Sequence, residues 1–156
     1  RTGVDLDANT TIRLFDDIKN IYGVKEATGS LERAICLLSQ RKDFVVVSGD
    51  DAIDFPMLAN GAKGIISVTA NLLPNLKSQL VNSVFKGDLE KARQINEDLY
   101  SLNSVLFCES NPIPIKAAMY LAGLLDTLEY RLPLTAPSME TMKKLEKTLE
   151  KYEVIK

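Results

Sequence analysis

Three short strand-like runs recur about every 20 residues in the first half of the sequence, and each gives way to a polar loop and then to a helical pattern. The runs fall at about 23–27 (Gly23-Val24-Lys25-Glu26-Ala27), 44–48 (Phe44-Val45-Val46-Val47-Ser48) and 64–68 (Gly64-Ile65-Ile66-Ser67-Val68). The second and third are apolar and β-branched, as strands covered on both faces are. Helices are expected before and between them. Ile12, Leu14, Phe15 and Ile18 mark one from about Ala8 to Asn20, with Asn9 or Thr10 near its cap. Ser30 is placed to cap a second through Leu38, Ile53 to Ala59 forms a short third, and Pro74 sits in the first turn of a fourth. Strand-helix repetition of this kind builds parallel sheets, either an open doubly wound sheet or a (β/α)8 barrel. No strand end carries G-x-G-x-x-G or a P-loop, which argues against the nucleotide-binding open sheets.

Past Lys86-Gly87-Asp88 the strands cease. Leu89, Ala92, Ile95, Leu99, Leu102 and Leu106 step by three or four and predict a long helix. Asn111-Pro112-Ile113-Pro114 shapes a junction into a helix that ends near Gly123, and Ser138 caps a last helix carrying Met139, Met142, Leu145 and Leu149. The expected fold class is therefore α/β: residues 1–87 as the C-terminal part of a (β/α)8 barrel, about three βα units, and residues 88–156 as a three-helix domain. Three strands cannot close a barrel of eight, and their edges would leave backbone groups unpaired. The pattern predicts one piece of a longer polypeptide, and a first residue of Arg1 rather than methionine agrees with that expectation.

Composition narrows the chemistry. With 46% hydrophobic and 26% charged residues and a net charge of −2, the chain is expected to be globular and soluble. Interspersed acidic and basic residues, as in Glu140, Lys143, Lys144, Glu146 and Lys147, describe a solvated face and no nucleic-acid partner. No long apolar stretch or basic leader is visible, so no membrane partner is expected. Cys36 and Cys108 form no C-x-x-C pair, which makes a reducing cytoplasm the simplest location. Histidine is absent, which removes the commonest general base and the commonest metal ligand.

Lys25 is the candidate for chemistry. Alternation places Gly23, Lys25 and Ala27 on one strand face and Tyr22, Val24 and Glu26 on the other. In a parallel barrel, the inward face near the C-terminal strand end opens at the mouth, where active sites are built. A lysine held there in a dry setting has its ammonium form disfavoured, leaving more of the free amine that attacks a carbonyl. Spacing alone equally allows a lysine snorkelling from a strand end, or one paired with Glu26 or with a carboxylate of a missing part. Ser48-Gly49-Asp50-Asp51 and Ile66-Ser67 occupy the ends of the next two strands. Gly49 lets backbone approach a ligand closely, and capping of the following helix is the favoured role for Asp51. Arg1 is either a bidentate clamp for a carboxylate or a solvated side chain.

Five motifs, in order and at fitting spacings, resemble the dihydrodipicolinate synthase family: Arg1-Thr2-Gly3, Gly23-Val24-Lys25-Glu26-Ala27-Thr28-Gly29, Ser48-Gly49-Asp50-Asp51, Gly64-Ile65-Ile66-Ser67-Val68-Thr69-Ala70-Asn71 and Asn111-Pro112-Ile113-Pro114-Ile115-Lys116. The resemblance spans essentially the whole chain. It implies a (β/α)8 barrel with a C-terminal helical domain, commonly homotetrameric, that condenses pyruvate with aspartate semialdehyde on the route to lysine. By the same resemblance, Lys25 forms a Schiff base with pyruvate, Gly49 and Ile66 line the pyruvate pocket, and Arg1 meets the carboxylate of the second substrate. No metal or other cofactor is implied. The resemblance also sets the start of this chain just after the fifth strand, so an N-terminal half of the same enzyme is an expected partner. N-acetylneuraminate lyases and other sugar-acid aldolases share the fold and the lysine and form the alternative, as does a non-catalytic fragment serving as a scaffold.

Overall fold

Gly23 opens the first strand because nothing larger fits there. A Cβ at that position would lie 2.3 Å from the carbonyl oxygen of Val45, where the neighbouring backbone passes. In the computed structural model, which describes residues 3–154, that strand is β1 (Gly23–Glu26). It pairs in parallel with β2 (Val45–Ser48), in a register that sets Gly23 beside Val45 and Lys25 beside Val47. The chain crosses between them through α2 (Leu31–Gln40), as a parallel pair requires. α1 (Ala8–Asp17) precedes β1, and α3 (Asp54–Ala59) follows β2.

The third apolar run behaves differently from the expected strand over 64–68. It joins β2 through a single bridge, Ser48 to Ile65, held by the Ser48 amide on the Gly64 carbonyl at 2.9 Å and the Ile66 amide on the Ser48 carbonyl at 2.7 Å. Val68 has already turned into helical backbone, with φ −73° and ψ −44°, ahead of a 3-10 turn at Thr69–Asn71. Pairing therefore stops after one residue. The remaining elements are α4 (Pro74–Phe85), α5 (Leu89–Val105), α6 (Ile113–Leu121) and α7 (Met139–Glu150).

Caps explain where several helices start. The Ser30 hydroxyl accepts the Arg33 amide at 3.1 Å, and the Ser138 hydroxyl accepts the Thr141 amide at 3.1 Å, as expected for both. α1 is capped two or three residues earlier than the sequence suggests. The carboxylate of Asp7 takes the Thr10 amide at 2.9 Å and the Thr10 hydroxyl at 2.8 Å, so neither Asn9 nor Thr10 is the cap. α1 also ends at Asp17, short of Asn20.

The chain divides into two compact units. One comprises the residues up to Ser67 together with Leu80–Arg93; the other comprises Val68–Gln79 and the residues from Gln94 on. In the first, Ile12, Ala34, Leu37, Phe44, Val46, Met57 and Ala62 form a buried cluster, with the rings of Phe15 and Phe44 tilted at 58° and 4.9 Å apart. In the second, Leu102, Leu106, Ile115, Leu145 and Leu149 are among the buried residues that pack α5, α6 and α7. Among the described residues, no helix is long and apolar enough to cross a membrane.

Candidate active site

The two faces of the β1–β2 pair have different fates. Val46 and Ser48 point into the helix-covered core and are fully buried, while Val45 and Val47 are only half-buried. Register places Lys25 next to Val47 on this more open face. There a cavity of about 300 Å³ is lined by Tyr22, Gly23, Val24, Lys25, Val45, Val47 and Ile66. Ile66 is 53% exposed and follows the bridge residue Ile65, which puts it on the same side as Lys25.

Gly49 shapes the lysine's path. A Cβ on Gly49 would lie 2.5 Å from Cε and 2.9 Å from Cγ of Lys25, and 2.8 Å from Cβ of Ala27. Those separations are well inside carbon–carbon contact, so the lysine stem crosses the strand end in space that only glycine leaves free. Lys25, Gly49 and Ile66 are thus brought together. Arg1, the fourth expected site residue, lies outside the described residues.

The alternative pairing of Lys25 with Glu26 is not what forms. Glu26 points to the opposite face and is 2% exposed. Its Oε1 accepts the Thr28 amide at 2.8 Å and the Thr28 hydroxyl, while its Oε2 accepts Arg33 Nε at 2.7 Å. Lys25 itself is exposed, so the dry setting expected around it is not supplied by these residues. The wall here consists of two strands and one bridge, and water reaches the open side.

Two loop assignments change. Asp51 does not cap α3: the N-cap is Ile53, with no side-chain cap bond, and buried Asp51 instead accepts the Ser67 hydroxyl. Asp50 closes its own turn by accepting the Ala52 amide at 3.0 Å. Tyr22 and Val24, which alternation assigns to the far face, also border the cavity. β1 is the edge strand of the described sheet, so the cavity wraps around its rim. The contributions of Val45 and Val47 follow from register with Lys25, which the spacing of the runs contained but did not fix. Among the described residues, no group of three or more acidic, cysteine or histidine side chains could hold a metal ion.

Comparison with known proteins places this geometry in a family. The dihydrodipicolinate synthetase family matches residues 1–152. The chain belongs to that family. Among family members, the 4-hydroxy-tetrahydrodipicolinate synthase of Aliarcobacter butzleri is 76% identical over 156 residues, which cover 100% of this chain and 53% of that protein. The synthase of Sulfurimonas denitrificans is 64% identical, over 99% of this chain and 52% of that one. The crystal structure of dihydrodipicolinate synthase from Aquifex aeolicus superposes with a TM-score of 0.94 at 39% identity, covering 99% of this chain and 53% of the other. A chloride-inhibited dihydrodipicolinate synthase from Acinetobacter baumannii, solved in complex with pyruvate, matches with a TM-score of 0.93 at 40% identity, over 99% and 53% of the two chains. The chain thus has the structure of about half of a TIM-barrel synthase and spans about half the length of the curated relatives it matches.

Proposed function

We propose that this chain supplies the imine-forming half of a 4-hydroxy-tetrahydrodipicolinate synthase, a lyase that joins pyruvate to L-aspartate 4-semialdehyde. The observation that carries the reading is the course of Lys25, laid across Gly49 into a cavity that Ile66 also lines. The amine of Lys25 attacks the ketone carbon of pyruvate and water leaves, giving an imine. Protonated, that imine draws electrons from the methyl group, which loses a proton and becomes an enamine nucleophile. The enamine carbon bonds to the aldehyde carbon of the semialdehyde. Gly49 and Ile66 border the pyruvate, and Arg1 meets the carboxylate of the second substrate.

In this reading residues 1–87 are the last three βα units of a (β/α)8 barrel and residues 88–156 are an appended helical domain. The compact units cross that boundary because α4 and α5 each contribute residues to both. The strands that close the barrel and the groups that relay the proton belong to the other half of the enzyme, a half the curated relatives possess. The assembly is a cytoplasmic homotetramer acting in lysine and diaminopimelate biosynthesis.

The test joins this chain to the first half of the Aliarcobacter butzleri relative, chosen for its 76% identity. This completed enzyme is expected to consume pyruvate with aspartate semialdehyde and not with N-acetylmannosamine, and Lys25→Ala is expected to abolish the condensation. Because Lys25 is exposed, its removal should alter stability by no more than about 0.5 kcal/mol. Full activity in Lys25→Ala would refute the mechanism.

A further inference from the structure

Beside the proposed imine lysine lies a part-buried ion pair with no part in the chemistry described so far. Glu26 directly follows Lys25, and its carboxylate is almost wholly shielded from water. It gathers three donors: the amide and hydroxyl of Thr28, from the turn after β1, and Nε of Arg33 at 2.7 Å, from the first turns of α2. The guanidinium in turn donates through its second nitrogen to the carbonyl of Leu6, ahead of α1. One carboxylate therefore ties together the end of β1, the turn that follows, the start of α2 and, through Arg33, the segment leading into α1.

We propose that Glu26 and Arg33 are a positioning pair for Lys25, resting on the Schiff-base reading above. Side chains alternate across a strand, so fixing Glu26 on the helix-covered face fixes where Lys25 leaves the backbone on the cavity face. A slip of β1 by one residue would bury the ammonium of Lys25 and expose the carboxylate of Glu26. It would also leave the partly exposed guanidinium of Arg33 without its carboxylate, and the Lys25 ammonium would become an unpaired buried charge, which is strongly disfavoured. The pair thus selects one pleat and one register for β1. Thr28 adds a second restraint two residues on. The ion pair holds the amine's point of departure, while glycine leaves room for its path.

The test uses the completed enzyme and follows borohydride trapping of pyruvate on Lys25 against time and pyruvate concentration. Glu26→Gln keeps the shape of the side chain and removes its charge. The double variant Glu26→Leu/Arg33→Met replaces the pair with apolar groups of similar size, which commonly preserves folding. Both are expected to trap pyruvate roughly 10- to 100-fold more slowly at saturating pyruvate, as loss of placement predicts. The pyruvate concentration at half-maximal rate should change little. A merely structural role would be rescued by the double variant, so wild-type trapping in a double variant with the wild-type melting temperature would overturn the proposal. Should neither variant fold, Thr28→Val decides: slower trapping at unchanged melting temperature supports the clamp, and an unchanged rate refutes it. Failure of the unaltered completed enzyme to trap pyruvate would instead defeat the Schiff-base reading itself.

Discussion

At the scale of single residues, Gly49 makes the demand that bears most directly on the lysine. A methyl group there would meet Lys25 and Ala27 at separations no carbon pair tolerates, and the lysine stem is the more yielding of the two neighbours. Gly49→Ala in the completed enzyme is therefore expected to fold, displace the amine, and slow pyruvate trapping by about ten-fold or more, since ångström displacements carry costs of that order. Trapping kinetics alongside a thermal melt would check this, and an unchanged rate would show that the lysine has another path. The side from which Lys25 leaves β1 was legible in the sequence, because alternation of small residues around it suffices. Its relation to Glu26 was not. Two neighbours of opposite charge invite a pairing, but the pleat separates them, and the partner of Glu26 lies seven residues on, across a turn. Asp51 misled for a similar reason. Its sequence position suits a cap, whereas its hydrogen-bond donor, Ser67, is distant in the chain and becomes a neighbour only when the third run docks on β2.

At the scale of elements, local chemistry was the more reliable guide. Ser30 and Ser138 sit one residue ahead of their helices and cap them through the expected bonds. The cap of α1 was misplaced because Asp7 reaches both donors of Thr10, and a charged acceptor outcompetes its neighbours. The run over 64–68 has the composition of a strand, but its backbone has turned helical by Val68, so a single bridge forms. α7 carries a further restraint that sequence patterns did not reveal. The carboxylate of Glu109, beyond α5, accepts the amide and hydroxyl of Ser138, both at 3.0 Å. Its pKa is held below the ordinary carboxylate range, first by the Thr141 hydroxyl and then by the Ser138 amide. A carboxyl with a lowered folded-state value stabilises the fold at pH above its unfolded value and loses that contribution as pH falls through the folded one. The stability difference between wild type and Glu109→Gln should therefore be present at pH 7 and shrink below about pH 4.5. Urea unfolding at several pH values measures it, and a difference independent of pH would contradict the assignment.

At the scale of the whole molecule, the βα repetition foretold a parallel sheet, and the structure matches about half of a TIM-barrel synthase. The open side of the cavity, with Ile66 53% exposed and Tyr22 74% exposed, is the part that a run of strands cannot describe. In the proposed reading, chain that the curated relatives carry outside the matched region covers it. The most direct measurement is borohydride reduction in the presence of pyruvate, followed by peptide mass mapping, performed on the completed enzyme and on this chain alone. The account predicts a reduced pyruvyl group on Lys25 of the completed enzyme and at most a trace on the isolated chain. A completed enzyme left unlabelled, or labelled at a different lysine, would contradict it.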